Sequence, residues 1–507
     1  MGTHRQMRPR TPHIAIAALA CVLAAITPLG AGAFWPVNAG ERVWSSRHVV
    51  FVADAASWLP LASGEWVVQP WLSALVQYGA WSVAGISGLS VVAVLGAGAA
   101  ALALLATCRQ RAGMSAATAA SAAVLALWAP IPLRPELFAL LPAALLLREL
   151  GRSGTNCGSL RAWGAAPLLV AVWSNLHGSF PIAVALCVAA AFGMVRGSFV
   201  TGMSYAQRCV WCVICACATL ATPLGLMGWK YALRVSGSAV IPGVTPLWRP
   251  LDFSSMEGLL LAAMCAVIAC GAVLATRGVS GWRAVSLEVL PIVPVMVLAL
   301  ATLDAQRYVV WCALVAAPEL AVAIQRCTTA WSARARHRSA GTRHELHARG
   351  LRSAFLQIVT AALVVAAVVL TPGGSVQRSF AERALPADVL VAQITPADRV
   401  LAVAEWADYI RLQRGAEVAV DARLERFRPQ DLDAYQQVTR TATCPSNTWC
   451  EGSWTVALLR DGSASVLARR LEQAGCMVEQ SGQGRLRGSV FRAPCAGAVH
   501  GTKVEAL

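Results

Sequence analysis

Val83–Thr107 reads VAGISGLSVVAVLGAGAAALALLAT, an unbroken stretch without a charge, and Cys108-Arg109-Gln110-Arg111 follows at once. As a helix rising about 1.5 Å per residue, it more than covers the roughly 30 Å of hydrocarbon in a bilayer. Further apolar runs occupy Ile14–Phe34, Leu259–Thr276, Val285–Leu303 and Ser353–Leu370. Hydrophobic residues make up 57% of the 507-residue chain and charged residues only 13%, so the bilayer must be the solvent for most of it. The pattern predicts an α-helical polytopic membrane protein with about eleven transmembrane helices.

The chain carries 42 Lys+Arg against 26 Asp+Glu, a net charge of +16. Sorting the basic residues by loop explains most of that excess. Counting from a cytoplasmic N-terminus, the inner segments hold 19, including seven between Arg326 and Arg352. The opposite loops hold 7: Arg42, Arg47, Arg134, Lys230, Arg234, Arg249 and Arg307. This is the positive-inside asymmetry of a membrane protein. A nucleic-acid partner would need basic charge clustered on a soluble face, and none is present. Ile14–Phe34 follows a basic start like a signal peptide, but it leads into a Trp-rich loop with further spans beyond, so a retained first helix is expected.

The expected organisation is a transmembrane domain over 1–371 and an extracytoplasmic α/β domain over 372–507. The first has long outer loops at about 35–82 and 223–257, a basic inner loop at 326–352 and a last helix at 353–370. Trp35, Trp44, Trp58, Trp66 and Trp71 crowd the first outer loop, as in helices lying at a headgroup interface. In the tail, Arg399–Ala404, Glu417–Asp421, Trp454–Leu459 and Gly488–Ala493 read as strands. Pro386–Ile394, Trp406–Leu412, Gln430–Thr439 and Ala464–Ala474 read as helices. Twelve of the 16 cysteines lie in or beside apolar runs, where they act as small hydrophobes. The other four, Cys444, Cys450, Cys476 and Cys495, suit two disulfides in an oxidising compartment, with three connectivities open.

Charged groups at membrane depth are costly, so those beside short outer turns are the first candidates for function. Arg134, His177, Arg249 and Arg307 all fall on the outer side, and with Asn175 they can line one cavity suited to a phosphorylated lipid headgroup. The plainer reading has each arginine snorkelling or paired with Glu136, Asp252 or Asp304. Asp54 and Glu41, in the first outer loop, are candidate general bases. Cys209, Cys212, Cys215 and Cys217 lie on one apolar helix whose period spreads them around its axis, so no metal site is expected there. Asp421 and Arg423 read as a structural pair at a strand end.

Several ordered motifs resemble those of C-type, polyprenyl-phosphate-dependent glycosyltransferases. Arg134-Pro135-Glu136-Leu137-Phe138 matches an RP-hydrophobic turn, and Trp173-Ser174-Asn175-Leu176-His177-Gly178 matches W-x-N-x-H-G. Thr222-Pro223-Leu224-Gly225 stands for an N-P-x-G-like helix end, and Trp248-Arg249-Pro250-Leu251-Asp252-Phe253 for W-x-P-x-D-F. In the tail, Trp406-Ala407-Asp408-Tyr409-Ile410 and Asp421-Ala422-Arg423 match W-x-x-Y-[LI] and D-x-R. The chain departs from the pattern twice. Ala33–Gly40 lacks the acid and histidine of the first helix's outer end, and Gln69-Pro70-Trp71-Leu72 lacks a glutamate.

The resemblance implies a sugar moved from a polyprenyl-phosphate donor to a glycan, lipid or protein acceptor on the outer face of a bacterial plasma membrane. It gives Asp54 the catalytic carboxylate's role, with Glu41 as substitute, and leaves a divalent metal open. The missing acids point to an alternative: a non-catalytic lipid-linked-sugar flippase or a scaffold for envelope polymer assembly.

Overall fold

The computed structural model describes residues 11–27, 31–52, 57–59, 65–128, 133–152, 159–237, 246–277, 282–338, 386, 388–441, 454–460, 465–473, 476–481 and 488–492. The expected last helix, 353–370, lies outside these residues, as do Asp54, Cys444, Cys450 and Cys495.

The first apolar run is not one span. Helix α1 covers Thr11–Ile26, and α2 begins afresh at Phe34 and runs to Ser46. The sequence places Pro28 between the two, and proline has no N–H with which to continue a helical ladder. A two-stranded antiparallel hairpin follows, β1 (Val50–Phe51) with β2 (Trp66–Val67). Helix α3 (Trp71–Arg109) is broken at Ala84–Gly85. Gly85 takes φ 54° and ψ −134°, a conformation open to glycine and costly for other residues. The apolar run from Ile86 therefore sets off in a new direction from the Trp71–Val83 segment, which packs with α2.

The remaining helices of this region are α4 (Met114–Trp128), α5 (Pro135–Leu150), α6 (Leu160–Leu176), α7 (Phe180–Ala191), α8 (Tyr205–Ala218), α9 (Met227–Ser236), α10 (Met256–Thr276), α11 (Trp282–Val289), α12 (Val293–Ala301) and α13 (Val309–Arg338). Among the described residues, α3, α10 and Gln306–Arg334 are long and apolar enough to cross a membrane by themselves. The others are shorter, many of them interrupted by proline or glycine. Local signals set their ends: Ser159 caps α6, Ser255 caps α10, and Ser204 with Gln207 forms a capping box on α8. On α8, Cys215 is buried while Cys209 and Cys217 are exposed, so these thiols point in different directions.

Small residues build the core. Ala120, Ala139, Ala143, Ala313, Ala316 and Ala317 are buried in one cluster, which lets helix backbones approach closely. Gly271 on α10 faces Ala323 on α13, and Gly40 on α2 faces the Ala74 carbonyl on α3. Several arginines read as topogenic also pair inside the protein. Arg196 lies 3.1 Å from Glu319 and 2.8 Å from Glu288, Arg326 lies 2.7 Å from Glu288, and Arg111 lies 3.6 Å from Glu319. The basic loop expected from residue 326 starts later, since α13 stays helical to Arg338 and brings Arg326 within reach of Glu288.

The tail contains α14 (Asp388–Ala392), β3 (Arg399–Ala402), α15 (Ala404–Arg414), β4 (Glu417–Val418), α16 (Pro429–Thr441), β5 (Val456–Arg460), α17 (Ser465–Gln473), β6 (Met477–Ser481) and β7 (Gly488–Arg492). Its sheet runs β4-β3-β5-β7-β6, with β4, β3 and β5 parallel and the last two pairings antiparallel. The anticipated strand segments all contribute; β6 is the unanticipated one. The domain docks on the first loop. Ser57 bridges to Val418 and its hydroxyl donates to the Ala419 carbonyl at 2.8 Å, while Leu59 and Val235 join the core beneath the sheet.

Close helix contacts predict opposite signs for two glycine-to-alanine changes in the same region. Gly40→Ala drives a methyl into the Ala74 carbonyl and should cost about 1–3 kcal/mol. Gly79→Ala meets open space in α3 and should stabilise by about 0.4–1 kcal/mol. Melting temperatures of the detergent-solubilised chain would check both; equal shifts would reject the close crossing.

Candidate functional site

Arg134 is extended (φ −146°, ψ 163°), as the residue before a proline tends to be, and Pro135 opens α5 immediately after it. Glu136 thus sits in the first turn, where the helix dipole favours a carboxylate. Across from it stands His177, just beyond α6, with its Nε2 3.4 Å from Glu136 Oε1. The Ser179 N–H donates to His177 Nδ1 at 3.1 Å. An imidazole that accepts at Nδ1 carries its proton at Nε2, facing Glu136. Ser179 Oγ, 2.8 Å from Nδ1, accepts in turn from Trp173 Nε1 at 2.9 Å. Trp311 stacks with both rings, at 6.0 Å from His177 and 5.1 Å from Trp173. Arg134 lies along Gly32, where any Cβ would crowd its side chain, and its Nε is buried without a hydrogen bond among the described residues.

The turn holding His177 is gripped by the start of α3. Gln69 Nε2 donates to the Ser174 carbonyl at 3.0 Å, Trp71 Nε1 to Asn175 Oδ1 at 2.8 Å, and Ser73 Oγ to the Leu176 carbonyl at 2.7 Å. Carbonyls in the last turn of α6 have no intrahelical donor, so Gln69 and Ser73 supply what the helix end lacks, while Trp71 holds the Asn175 side chain. Gln69, read from sequence only as the place of a missing glutamate, is therefore a turn-binding amide. Asn175, anticipated as a phosphate ligand, has both amide hydrogens committed: Nδ2 donates to Ala171 O at 2.7 Å and to Ala221 O at 2.8 Å. In this arrangement the side chain holds the turn.

Arg249 and Arg307 form a second group. Arg307 lies 4.0 Å over the Trp248 ring. The strap around Arg249 is zipped to the 302–306 turn by Gln306 N–H to Arg249 O at 2.7 Å and Leu251 N–H to Thr302 O at 2.9 Å. Tyr231 and Trp248 both pack on the tail's core, and Tyr231 also neighbours Gly178. Asp252 Oδ1 accepts from the Ser254 N–H and hydroxyl, and Glu136 meets His177. Glu41 lies on the exposed face of α2.

Asp421 and Arg423 belong to a buried cluster where the tail meets the first loop. Asp421 accepts from the Arg423 backbone N–H at 2.9 Å and from its Nε at 3.0 Å, and Arg426 Nη1 stands 3.6 Å away. The Arg423 guanidinium covers the Trp66 ring at 4.4 Å. Asp408, which sequence reading passed over, accepts from Ala422 N–H at 3.0 Å, and Asn38 Nδ2 donates to its backbone carbonyl at 3.0 Å. Burial, with Asp421 adding like charge, pushes the Asp408 carboxyl up to about 7. Burial also opposes the charge on Asp421, but Arg423 and Arg426 outweigh it and hold that carboxyl below its ordinary value.

The two carboxyls act on stability in opposite directions. Asp408 binds its proton more tightly folded than unfolded. Its contribution is therefore full below the ordinary value of about 3.9 and is lost as pH rises through about 7. Asp421 contributes above the ordinary value and loses that contribution as pH falls through its lowered one. Asp408→Asn, which mimics the neutral acid, should leave the full chain more stable than wild type at pH 8, by roughly 4 °C or more in melting temperature, with a clearly smaller gain at pH 5 that vanishes below about pH 4. Parallel shifts at both pH values would reject a buried, proton-binding Asp408.

No protein-family model matches the sequence, and no curated protein is detectably similar to it. Solved structures are similar in fold. The archaeal oligosaccharyltransferase AglB from Archaeoglobus fulgidus, solved with an inhibitory peptide and a dolichol-phosphate, aligns over 88% of this chain and 69% of its own. Its TM-score is 0.55 and its sequence identity 10%. ArnT from Cupriavidus metallidurans aligns over 95% of this chain and 97% of its own. The TM-score is 0.53 at 13% identity in the apo state, and 0.52 at 14% with undecaprenyl phosphate bound. The chain is thus a membrane protein with a fold like that of the C-type glycosyltransferases.

Proposed function

We propose that the protein is a membrane glycosyltransferase that moves a sugar from a polyprenyl-phosphate donor to an envelope acceptor. In this reading the N-terminus is cytoplasmic, and the tail and first loop lie on the outer face of a bacterial plasma membrane. The acceptor is a glycan, lipid or protein. The observation that carries the proposal is the Arg134–Glu136–His177 group in a fold like that of proteins solved with polyprenyl phosphates. Arg134, with its Nε turned into the protein, is the assigned phosphate ligand. His177 is assigned to donate from Nε2, and Arg249 and Arg307 to supply positive charge at the mouth. Asp54 is assigned as the base that takes the acceptor's proton as the donor phosphate leaves, with Glu41 as substitute. The tail cysteines are assigned to two disulfides. Cys476, 3% exposed in the tail's core, is the one of them within the described residues.

A non-catalytic flippase or scaffold is the second reading. It is favoured by the two acids missing from the motif pattern and by the protein partners that occupy His177 and Asn175.

Transfer of labelled sugar from a polyprenyl-phosphate donor by the purified chain separates the two readings. Asp54→Asn should abolish transfer with protein level unchanged, and full activity in that variant rejects the assignment. Arg134→Ala should weaken donor binding by about tenfold or more, the worth of a charge-assisted hydrogen bond. Binding of donor without turnover by the wild type would favour the scaffold.

A further inference from the structure

We propose that the first loop carries a second recognition site, separate from the Arg134–His177 group, for a saccharide bearing an anionic group. A cavity of about 460 Å³ lies between the end of α2, strand β1 and the first turns of α3, with Pro223 at its back. That is the size of a small-molecule site. Trp44 and Trp71 give it indole walls, and Arg47 and His48 give it donors, with no carboxylate among the described residues lining it. Flat apolar rings beside a guanidinium fork fit a sugar ring that carries a phosphate or carboxylate.

The backbone supports a role for Arg47. It is the one residue other than glycine with positive φ among the described residues, at φ 61° and ψ 18°. Such a position is cheaper for glycine and costs an arginine on the order of 1 kcal/mol. The left-handed turn carries its guanidinium to 4.3 Å from the centre of the Trp44 ring. A helix C-terminus ordinarily repels anions through its free carbonyls. Here the Arg42 carbonyl already accepts from the Ser45 and Ser46 hydroxyls, and the Val43 carbonyl from the Arg47 N–H. Two carbonyls near the end of α2 are thereby occupied, and Arg47 and His48 supply donors beside them.

Trp71 joins this cavity to the site described above. Its ring lines the cavity, and its N–H holds Asn175 in the turn that presents His177. A ligand packed on Trp71 thus contacts the side chain that holds the His177 turn, a place beside the proposed donor site that suits an acceptor. The acceptor role rests on the proposed glycosyltransferase reading; the binding site does not.

The test uses the full chain in phosphatidylcholine nanodiscs, with glucose 1-phosphate, glucuronate, glucose and inorganic phosphate as probes. Arg47→Gly keeps the left-handed turn and removes the fork, and Trp44→Leu removes one wall. At least one anionic sugar should bind, more tightly than glucose or phosphate, and about tenfold or more weaker in each variant. Binding of a short-chain polyprenyl phosphate should be unchanged by Arg47→Gly. Failure of both anionic sugars to bind, equal affinity in Arg47→Gly, or inorganic phosphate binding as well as the sugars would overturn the site. Loss of sugar binding in phosphatidylglycerol nanodiscs would assign the cavity to a lipid headgroup and overturn the saccharide. If polyprenyl phosphate fails to bind while the Arg47-dependent sugar affinity persists, the donor reading falls and this site stands.

Discussion

Carbonyls left without donors at the end of α6 set the geometry of the turn between α6 and α7. In water such groups would be solvated; within an apolar bundle each must find a partner or cost several kcal/mol. Three side chains from one short stretch, Gln69, Trp71 and Ser73, meet the turn at successive residues. The same turn then points the His177 ring at Glu136 and under Trp311. The imidazole direction is therefore fixed by a segment about a hundred positions upstream, whose own place depends on α2 and the broken helix α3.

A second constraint comes from the tail. Its sheet buries a conventional apolar core, but one face of that core is completed by Leu59, Tyr231, Val235 and Trp248 from the membrane region. Charged groups at this junction, Asp408, Asp421, Arg423 and Arg426, are almost fully enclosed. Enclosed charges give little net stability but tolerate few alternative arrangements, so they favour one docking register. At the other end of the bundle Arg111, Arg196 and Arg326 meet Glu288 and Glu319 in the same manner. There the arginines tie helices together.

Apolar run length made the helical membrane architecture legible, and alternation made most of the tail's strands legible. Arg134 and His177 stood out because charge is rare in such surroundings. What could not be read depends on partners far apart in the chain. Gln69 looked like a lost acid because its acceptor, the Ser174 carbonyl, has no sequence signal. Sequence likewise does not show that Trp71 and two carbonyls take up the Asn175 amide. Asp408 was hidden within an aromatic motif, and β6, MVEQS, has too few apolar residues to announce a strand. The end of α1 at Ile26 has no hydropathy signal, since the apolar run continues past it.

The hydrogen bond from Asn38 to the Asp408 carbonyl spans 370 positions. At about 5–20 residues per second, a ribosome needs roughly 20–75 s to travel that distance. For that interval the emerging loop has Asn38, Ser57 and the Trp66 face uncovered while the bundle is already entering lipid. Completion of this junction is thus a late event of biogenesis, and a nascent chain arrested before β4 holds the first half of the assembly without its lid.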